Sequence, residues 1–187
     1  MFMKGIAKWL MMPLLLLVGS VVQAYERDGF LQHQYRAQCL SFAENPEHFR
    51  QHLEAGALPQ LPGGLVRQLL MGQDHVQGWA LAYQGRREYV LVLADDEERC
   101  AIIARYADAE KTLNWFEQLV ASPPAGYRAE RLQPTAGDRR YAGDVQVRRW
   151  AWRGPDRVLE HSLMASARQD EQIQAILSLT LKTTIEQ

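Results

Sequence analysis

Two histidines stand four positions apart, a spacing at which both side chains can face one ligand from the same helix. His48 and His52 occupy a segment predicted to be helical, so their rings can share a face as helical zinc ligands do. The segment lacks the glutamate that follows the first histidine of a zinc-protease helix and acts there as the base. A third ligand, His33 or Glu44, could come near only through the fold. Two solvated surface histidines are the favoured interpretation, and we predict no metal and no cofactor.

The chain has two cysteines, Cys39 and Cys100, separated by 61 positions. That separation excludes a Cys-x-x-Cys redox pair, although either thiol together with His161 would supply the nucleophile and base of a cysteine hydrolase. In an oxidising compartment two cysteines allow one intramolecular disulfide, which the chain-entropy model values at about 4 kcal/mol for such a loop. We therefore predict a Cys39–Cys100 disulfide, with two buried free thiols or one reactive thiol as the alternatives.

Other short patterns that carry chemistry are absent from the sequence. No Gly-x-Ser-x-Gly elbow is present to expose a serine nucleophile. The acidic run 95–98 lacks the spacing of an EF-hand, so a charged turn between strands is the favoured interpretation. We predict no catalytic residue.

Two tryptophans on one predicted strand are the best candidate for a functional surface. Trp150 and Trp152 share a face of segment 145–153, beside Arg148 and Arg149. Aromatic side chains next to arginines are typical of protein–protein hot spots when exposed, and they belong to the core when buried. Burial is the favoured interpretation, and a partner surface formed by Arg148, Trp150 and Trp152 is the alternative.

The start of the chain has the pattern of a secretory signal peptide. Two lysines precede the apolar run Leu10–Val18, and Val22 and Ala24 stand where a leader peptidase requires small residues. We predict a leader over 1–24 that is cleaved before Tyr25. Its apolar run is too short for a lasting transmembrane helix, and no cysteine follows the cleavage site to carry a lipid. The prediction is a soluble periplasmic protein with no stable membrane anchor.

Composition places the remainder in an ordinary size class. The 187 residues are 47% hydrophobic and 23% charged, and removal of the leader leaves about 160 residues, enough for one domain over 25–187. The formal net charge is −1 and becomes more negative when the two leader lysines are removed. A nucleic-acid-binding surface requires a dense positive charge, so we predict no nucleic-acid partner.

Apolar residues at helical spacing predict helices at 27–43, 46–55, 65–71 and 109–121. Asn45 is suited to cap the second helix, which Gly56 ends, and Asp108 is suited to cap the fourth. In the first helix, Cys39 lies on the apolar stripe and should face the core.

Alternating patterns predict strands at 79–83, 89–93, 100–104, 127–132, 145–153 and 158–167. Short turns join the first three into an antiparallel meander. The last run, 173–181, has apolar residues at helical spacing, although its β-branched residues leave a strand open. The predicted fold class is α+β: an antiparallel sheet of five to six strands, with the meander in its middle, covered by three to four helices.

Three segments and one aromatic residue carry a resemblance to a known family. The helix from Phe30 to Cys39, the strand Tyr89–Leu93, the segment Cys100–Asp108 and the helix with Phe116 are similar to those of small uncharacterised bacterial exported proteins and lipoproteins. The resemblance implies a shared architecture with two fold-bearing cysteines and a periplasmic address. It implies no known activity, and this chain departs from the lipoprotein members in having no cysteine after its leader.

These patterns favour a non-enzymatic periplasmic protein that binds another macromolecule. The partner would be a protein of the cell envelope, and one form of such a pair is an immunity or inhibitor protein with an envelope toxin. The alternative is a periplasmic metal-binding protein or hydrolase that uses His48 and His52, or a cysteine with His161.

Overall fold

The structure, a computed structural model, describes residues 27–70, 72–94, 97–133, 135 and 144–183. The predicted leader, and Asp95 and Asp96 of the acidic run, lie outside the described residues. The described residues form seven strands: β1 (Val76–Tyr83), β2 (Arg86–Ala94), β3 (Arg99–Ala104), β4 (Arg128–Leu132), β5 (Val145–Arg153), β6 (Arg157–Ser166) and β7 (Ala175–Thr183). They form one antiparallel sheet in the order β1-β2-β3-β7-β6-β5-β4.

Four helical elements accompany the sheet in the described part of the chain. They are α1 (27–34, continued by the π-helix Tyr35–Leu40 and the α-helical turn Ser41–Glu44), α2 (Pro46–Glu54), α3 (Gly63–Leu69) and α4 (Ala109–Val120). The predicted caps are confirmed. Asn45 Oδ1 accepts the backbone N–H of His48 at 3.0 Å, and Asp108 Oδ1 accepts that of Lys111 at 3.0 Å. Each carboxamide or carboxylate satisfies an N–H that the helix itself leaves unpaired.

The predicted α+β class and the antiparallel meander are confirmed, but the described sheet has seven strands rather than five or six. The meander β1–β3 lies at one side of the sheet, with β1 at its edge, so its predicted position in the middle is wrong. The seventh strand is β7, so of the two alternatives left open for 173–181 the strand is confirmed and the helix is wrong. Ala175, Leu177 and Leu179 alternate onto one face, and β7 pairs with β3 on one side and β6 on the other. Ile176 on the outer face of β7 adjoins the inward-facing Leu177, and this adjacent apolar pair, together with Leu181, produced the apparent helical spacing.

The turn between β1 and β2 shows how the sequence sets the register of the meander. Gln84 and Gly85 both have positive φ, at 49° and 76°, and Tyr83 pairs with Arg86 across them. Two central residues with positive φ define the two-residue turn whose twist matches that of paired strands. The register then places Trp79 opposite Leu91 on the inner face.

The two faces of the sheet are covered unequally. On the inner face, α1, α2 and α4 pack over the sheet through side chains such as Tyr35, Phe49 and Phe116. On the outer face, α3 packs Val66 against Val92 and other residues of the β1–β3 half. α3 therefore forms a third layer over the β1–β3 half of the outer face, and it does not cover the half formed by β4–β7.

The disulfide Cys39–Cys100 is confirmed. It joins α1 to β3 with a Cα–Cα distance of 5.4 Å, and both residues are fully buried. Because each sulfur is bonded to the other, the alternatives of free or reactive thiols are wrong. The bond fastens the helical layer to the middle of the sheet.

Candidate functional site

The histidine pair on α2 points to solvent. His48 and His52 are both exposed, as is His33 on α1. Across the described ranges, no group of three or more His, Cys, Asp or Glu side chains is placed to hold a metal ion. The fold thus does not bring His33 or Glu44 to the α2 pair as a further ligand.

His161 is sealed inside the core. Its ring is 0% exposed, its Nδ1 lies 2.8 Å from the hydroxyl of Tyr35, and its centroid is 4.2 Å from that of Trp152. Burial lowers the pKa of His161 to about 3, so the ring is neutral. Both cysteines are in the disulfide, so the predicted Cys–His alternative has no thiol to activate and is wrong.

The tryptophan strand lies on the inner face, under α4. The indole N–H of Trp152 donates to the carbonyl of Val120 at 2.7 Å, and the residue is 3% exposed. Trp150 donates to a carboxylate oxygen of Glu117 at 2.9 Å, and Arg148 lies 3.4 Å from the other oxygen. Trp152 is therefore part of the core, while Trp150 and Arg148 are half-buried at the seam between α4 and the sheet.

The opposite side of the same strands forms a surface that we call the open face. It consists of the outward, partly or fully exposed side chains of β4–β7: Arg128, Glu130, Leu132, Val145, Val147, Arg149, Arg153, Val158, Glu160, Ser162, Met164, Ser178, Thr180 and Lys182. The outer core cluster around α3 reaches only Ile176 of these four strands. The open face is therefore the half of the outer surface that the described helices leave uncovered.

A ladder of charges crosses the middle of the open face. Glu160 accepts from Arg149 at 3.2 Å through one oxygen and from Lys182 at 2.7 Å through the other, linking β5, β6 and β7. Next to it, Arg153 pairs with Glu130, and this hydrogen bond holds the pKa of Glu130 below its ordinary value. Beside the ladder, the hydroxyls of Ser162 and Ser178 are 2.6 Å apart.

Positive charge exceeds negative charge on the open face. Within the described part of the chain, four cations, Arg128, Arg149, Arg153 and Lys182, share it with two carboxylates, Glu130 and Glu160. The whole chain has the opposite sign, with a formal net charge of −1. The positive surplus is thus a local property of this surface.

A separate concavity lies at one end of the sheet and is called here the acidic cleft. Its volume is about 530 Å³, and its walls come from the start of α1, the start of α4 and the segment between β6 and β7. The charged residues of its wall are Arg27, Asp28, Asp108 and Glu110. This site could not be predicted from the sequence because its residues come from three distant segments, and its only local signal is Asp108 as a helix cap.

Comparison with known proteins gives no family for this fold and these surfaces. No family model, no curated protein and no solved structure matches the chain. The resemblance to small exported proteins and lipoproteins therefore stays a prediction. Among the described residues, none of the helices has the length and apolar content needed to cross a membrane.

Proposed function

We propose that this chain is an exported, non-catalytic protein of the periplasm that binds another protein through its open face. The leader pattern over 1–24 supports export, and a buried disulfide is typical of proteins that fold in an oxidising compartment. The observation that carries the binding function is the half-covered sheet. Its uncovered half has a positive surplus on an otherwise acidic chain.

The charge of the open face selects a partner with acidic side chains. Both carboxylates of the face already pair with its own cations: Glu130 with Arg153, and Glu160 with Arg149 and Lys182. An approaching carboxylate would meet the remaining positive potential, which speeds association and disfavours basic partners. The partner surface is therefore expected to be acidic around its centre of contact.

The open face suits protein binding because the sheet holds its side chains in fixed positions. The ladder through Glu160 fixes two long cationic side chains before any partner arrives, which reduces the ordering cost of binding. Val147 and Met164 are paired across β5 and β6 and remain half-exposed, and they supply apolar area beside the charges. An inhibitor or immunity protein acting on an envelope toxin is one pair that would use such a surface.

The test is a binding experiment with charge-reversed variants of the mature chain. Lys182→Glu together with Arg128→Glu reverses two cations of the open face. The matched control, Arg67→Glu with Arg105→Glu, makes the same charge change on α3 and beyond β3, and Arg67 is also an ion-paired residue. Thermal unfolding of each variant first establishes that it folds.

A periplasmic extract treated with a carbodiimide should give a covalent adduct between Lys182 and a carboxylate of the partner. We expect the control to retain this partner and the open-face variant to lose at least tenfold in affinity, with wild-type binding weakened by salt. An adduct mapped to another surface, or equal binding by the two variants, would overturn the proposal.

A further inference from the structure

We propose that the acidic cleft binds a small organic cation with a primary amine, which pairs with the buried carboxylate of Asp28. This inference is independent of the open face, since the cleft is formed by the first turn of α1, the first turn of α4 and the β6–β7 segment.

The charge of the cleft wall disfavours an anionic ligand. Among the described residues, Asp28, Asp108 and Glu110 line the cleft with one cation, Arg27, whose guanidinium lies 3.4 Å from the Glu88 carboxylate. The α4 N-terminus, which could otherwise attract an anion, is already capped by Asp108. The remaining field favours a positively charged group.

Asp28 is the group in the cleft that lacks a complete set of partners. Its side chain is 7% exposed, and its Oδ1 accepts the backbone N–H of Asp108 at 3.1 Å. Its Oδ2 is buried and makes no hydrogen bond within the described residues. Burial raises the pKa of the Asp28 carboxyl, and the nearby charge of Asp108 adds to this effect. A buried carboxylate oxygen without a donor is costly, so an ammonium donor would be strongly favoured there.

Lys111 shows what kind of group the site accepts. Its ammonium lies 3.2 Å from Asp108 and 3.8 Å from Oδ2 of Asp28, which is beyond hydrogen-bonding distance. The side chain is half-exposed on α4 and can turn away to solvent. Lys111 therefore competes with a ligand for Asp28: a free primary amine that enters the cleft would bind Oδ2 of Asp28, which the Lys111 ammonium approaches without reaching it.

The rest of the wall can accommodate an aliphatic amine and hold the cleft open. Gln174 accepts the N–H of Ala107 at 3.0 Å and donates to the carbonyl of Gln169 at 3.1 Å, which ties the β6–β7 segment to the end of β3. Tyr106 is 41% exposed at the rim, with the guanidinium of Arg27 5.1 Å from its ring centre. The ring offers an apolar surface to a methylene chain.

Calorimetry of the mature chain with 1,4-diaminobutane tests the proposal, with 1,4-butanediol as the uncharged probe of equal length. Asp28→Asn removes the charge but keeps an oxygen for the N–H of Asp108, and Asp156→Asn is the control in the β5–β6 turn. We expect the diamine to bind and the diol not to bind. Asp28→Asn should weaken the diamine at least tenfold, and Asp156→Asn should not change it.

Lys111→Met supplies the second, opposite readout. Removal of the competing ammonium should tighten diamine binding several-fold, whereas a merely structural role of Lys111 would weaken it or leave it unchanged. Amide NMR shifts of the wild type should be largest at Tyr106, Asp108 and Gln174. No diamine binding at millimolar concentration, binding that Asp28→Asn does not affect, or equal binding of the diol would each overturn the proposal.

Discussion

The hydroxyl of Tyr35 lies 2.8 Å from Nδ1 of His161, and it also lies 3.3 Å from the carbonyl oxygen of Ser178. One proton arrangement satisfies every donor: Nδ1–H donates to Tyr35, and the tyrosine hydroxyl donates to Ser178. Nε2 of His161, which has no partner within the described residues, is then an acceptor without a proton. The pair joins the π-helical part of α1 to β6 and β7.

Tyr35→Phe should destabilise the protein because it leaves Nδ1–H of His161 buried without an acceptor. We expect a loss of about 1–3 kcal/mol in the free energy of unfolding, measured by urea denaturation. Tyr106→Phe is the control, since that ring is at the surface. A loss no greater than that of the control would show that the hydrogen bond contributes nothing to stability.

Acidification should destabilise the protein through His161 even at pH values where the buried ring is still neutral in the folded state. Burial lowers the folded pKa from the ordinary 6.5 to about 3, so the unfolded chain binds the proton more readily between these values. Stability therefore falls as pH drops below 6.5 and continues to fall to about 3, by about 2 kcal/mol at pH 5.

His161→Gln isolates this contribution because glutamine does not titrate. The difference in unfolding free energy between wild type and variant should shrink as pH is lowered from 7.5 to 5. Contributions from all other titratable groups are common to both proteins and cancel. A difference independent of pH would contradict the assignment.

Loss of the disulfide should cost several kcal/mol. Replacing Cys39 and Cys100 by alanine frees a loop of 61 positions in the unfolded chain. The expected decrease is about 2–5 kcal/mol in the free energy of unfolding. The wild type in a reducing agent should show a similar decrease in urea denaturation, and the double variant should not respond to the reducing agent.

Gly78→Ala should disturb the contact between β1 and α3. A Cβ at this position would lie 2.7 Å from Cγ2 of Val66, whose side chain is fully buried. We expect a loss of about 1–3 kcal/mol from overpacking. In a Val66→Ala background the same substitution should cost less, because the clashing methyl groups are gone. Equal costs in both backgrounds would place the strain elsewhere.

Local sequence patterns predict most of the fold. Asn45 and Asp108 fixed two helix starts through their own hydrogen bonds, and Gln84-Gly85 fixed the first hairpin. β7 could not be decided locally, because its strand form depends on two neighbours that are distant in sequence. The π-helix Tyr35–Leu40 likewise has no local sequence signature.

The candidate sites were less accessible to sequence reasoning. Alternation on β5 placed Trp152 correctly on a buried face, and the same alternation puts Arg149 on the other. The alternation on β5 could not show that α3 leaves the face with Arg149 uncovered. Asp28 gave no signal at all, since its unusual environment arises only where α1 meets α4.

Because β7 lies between β3 and β6, the sheet cannot be completed until this C-terminal strand is in place. β1–β3 precede the other strands in the chain, and they include Cys100 of the disulfide. The facing edges of β3 and β6 stay bare until residues 175–183 have been made. Without residues 175–183, β3 and β6 would each expose a backbone edge that a strand of another molecule could pair with, which is where misassembly would begin.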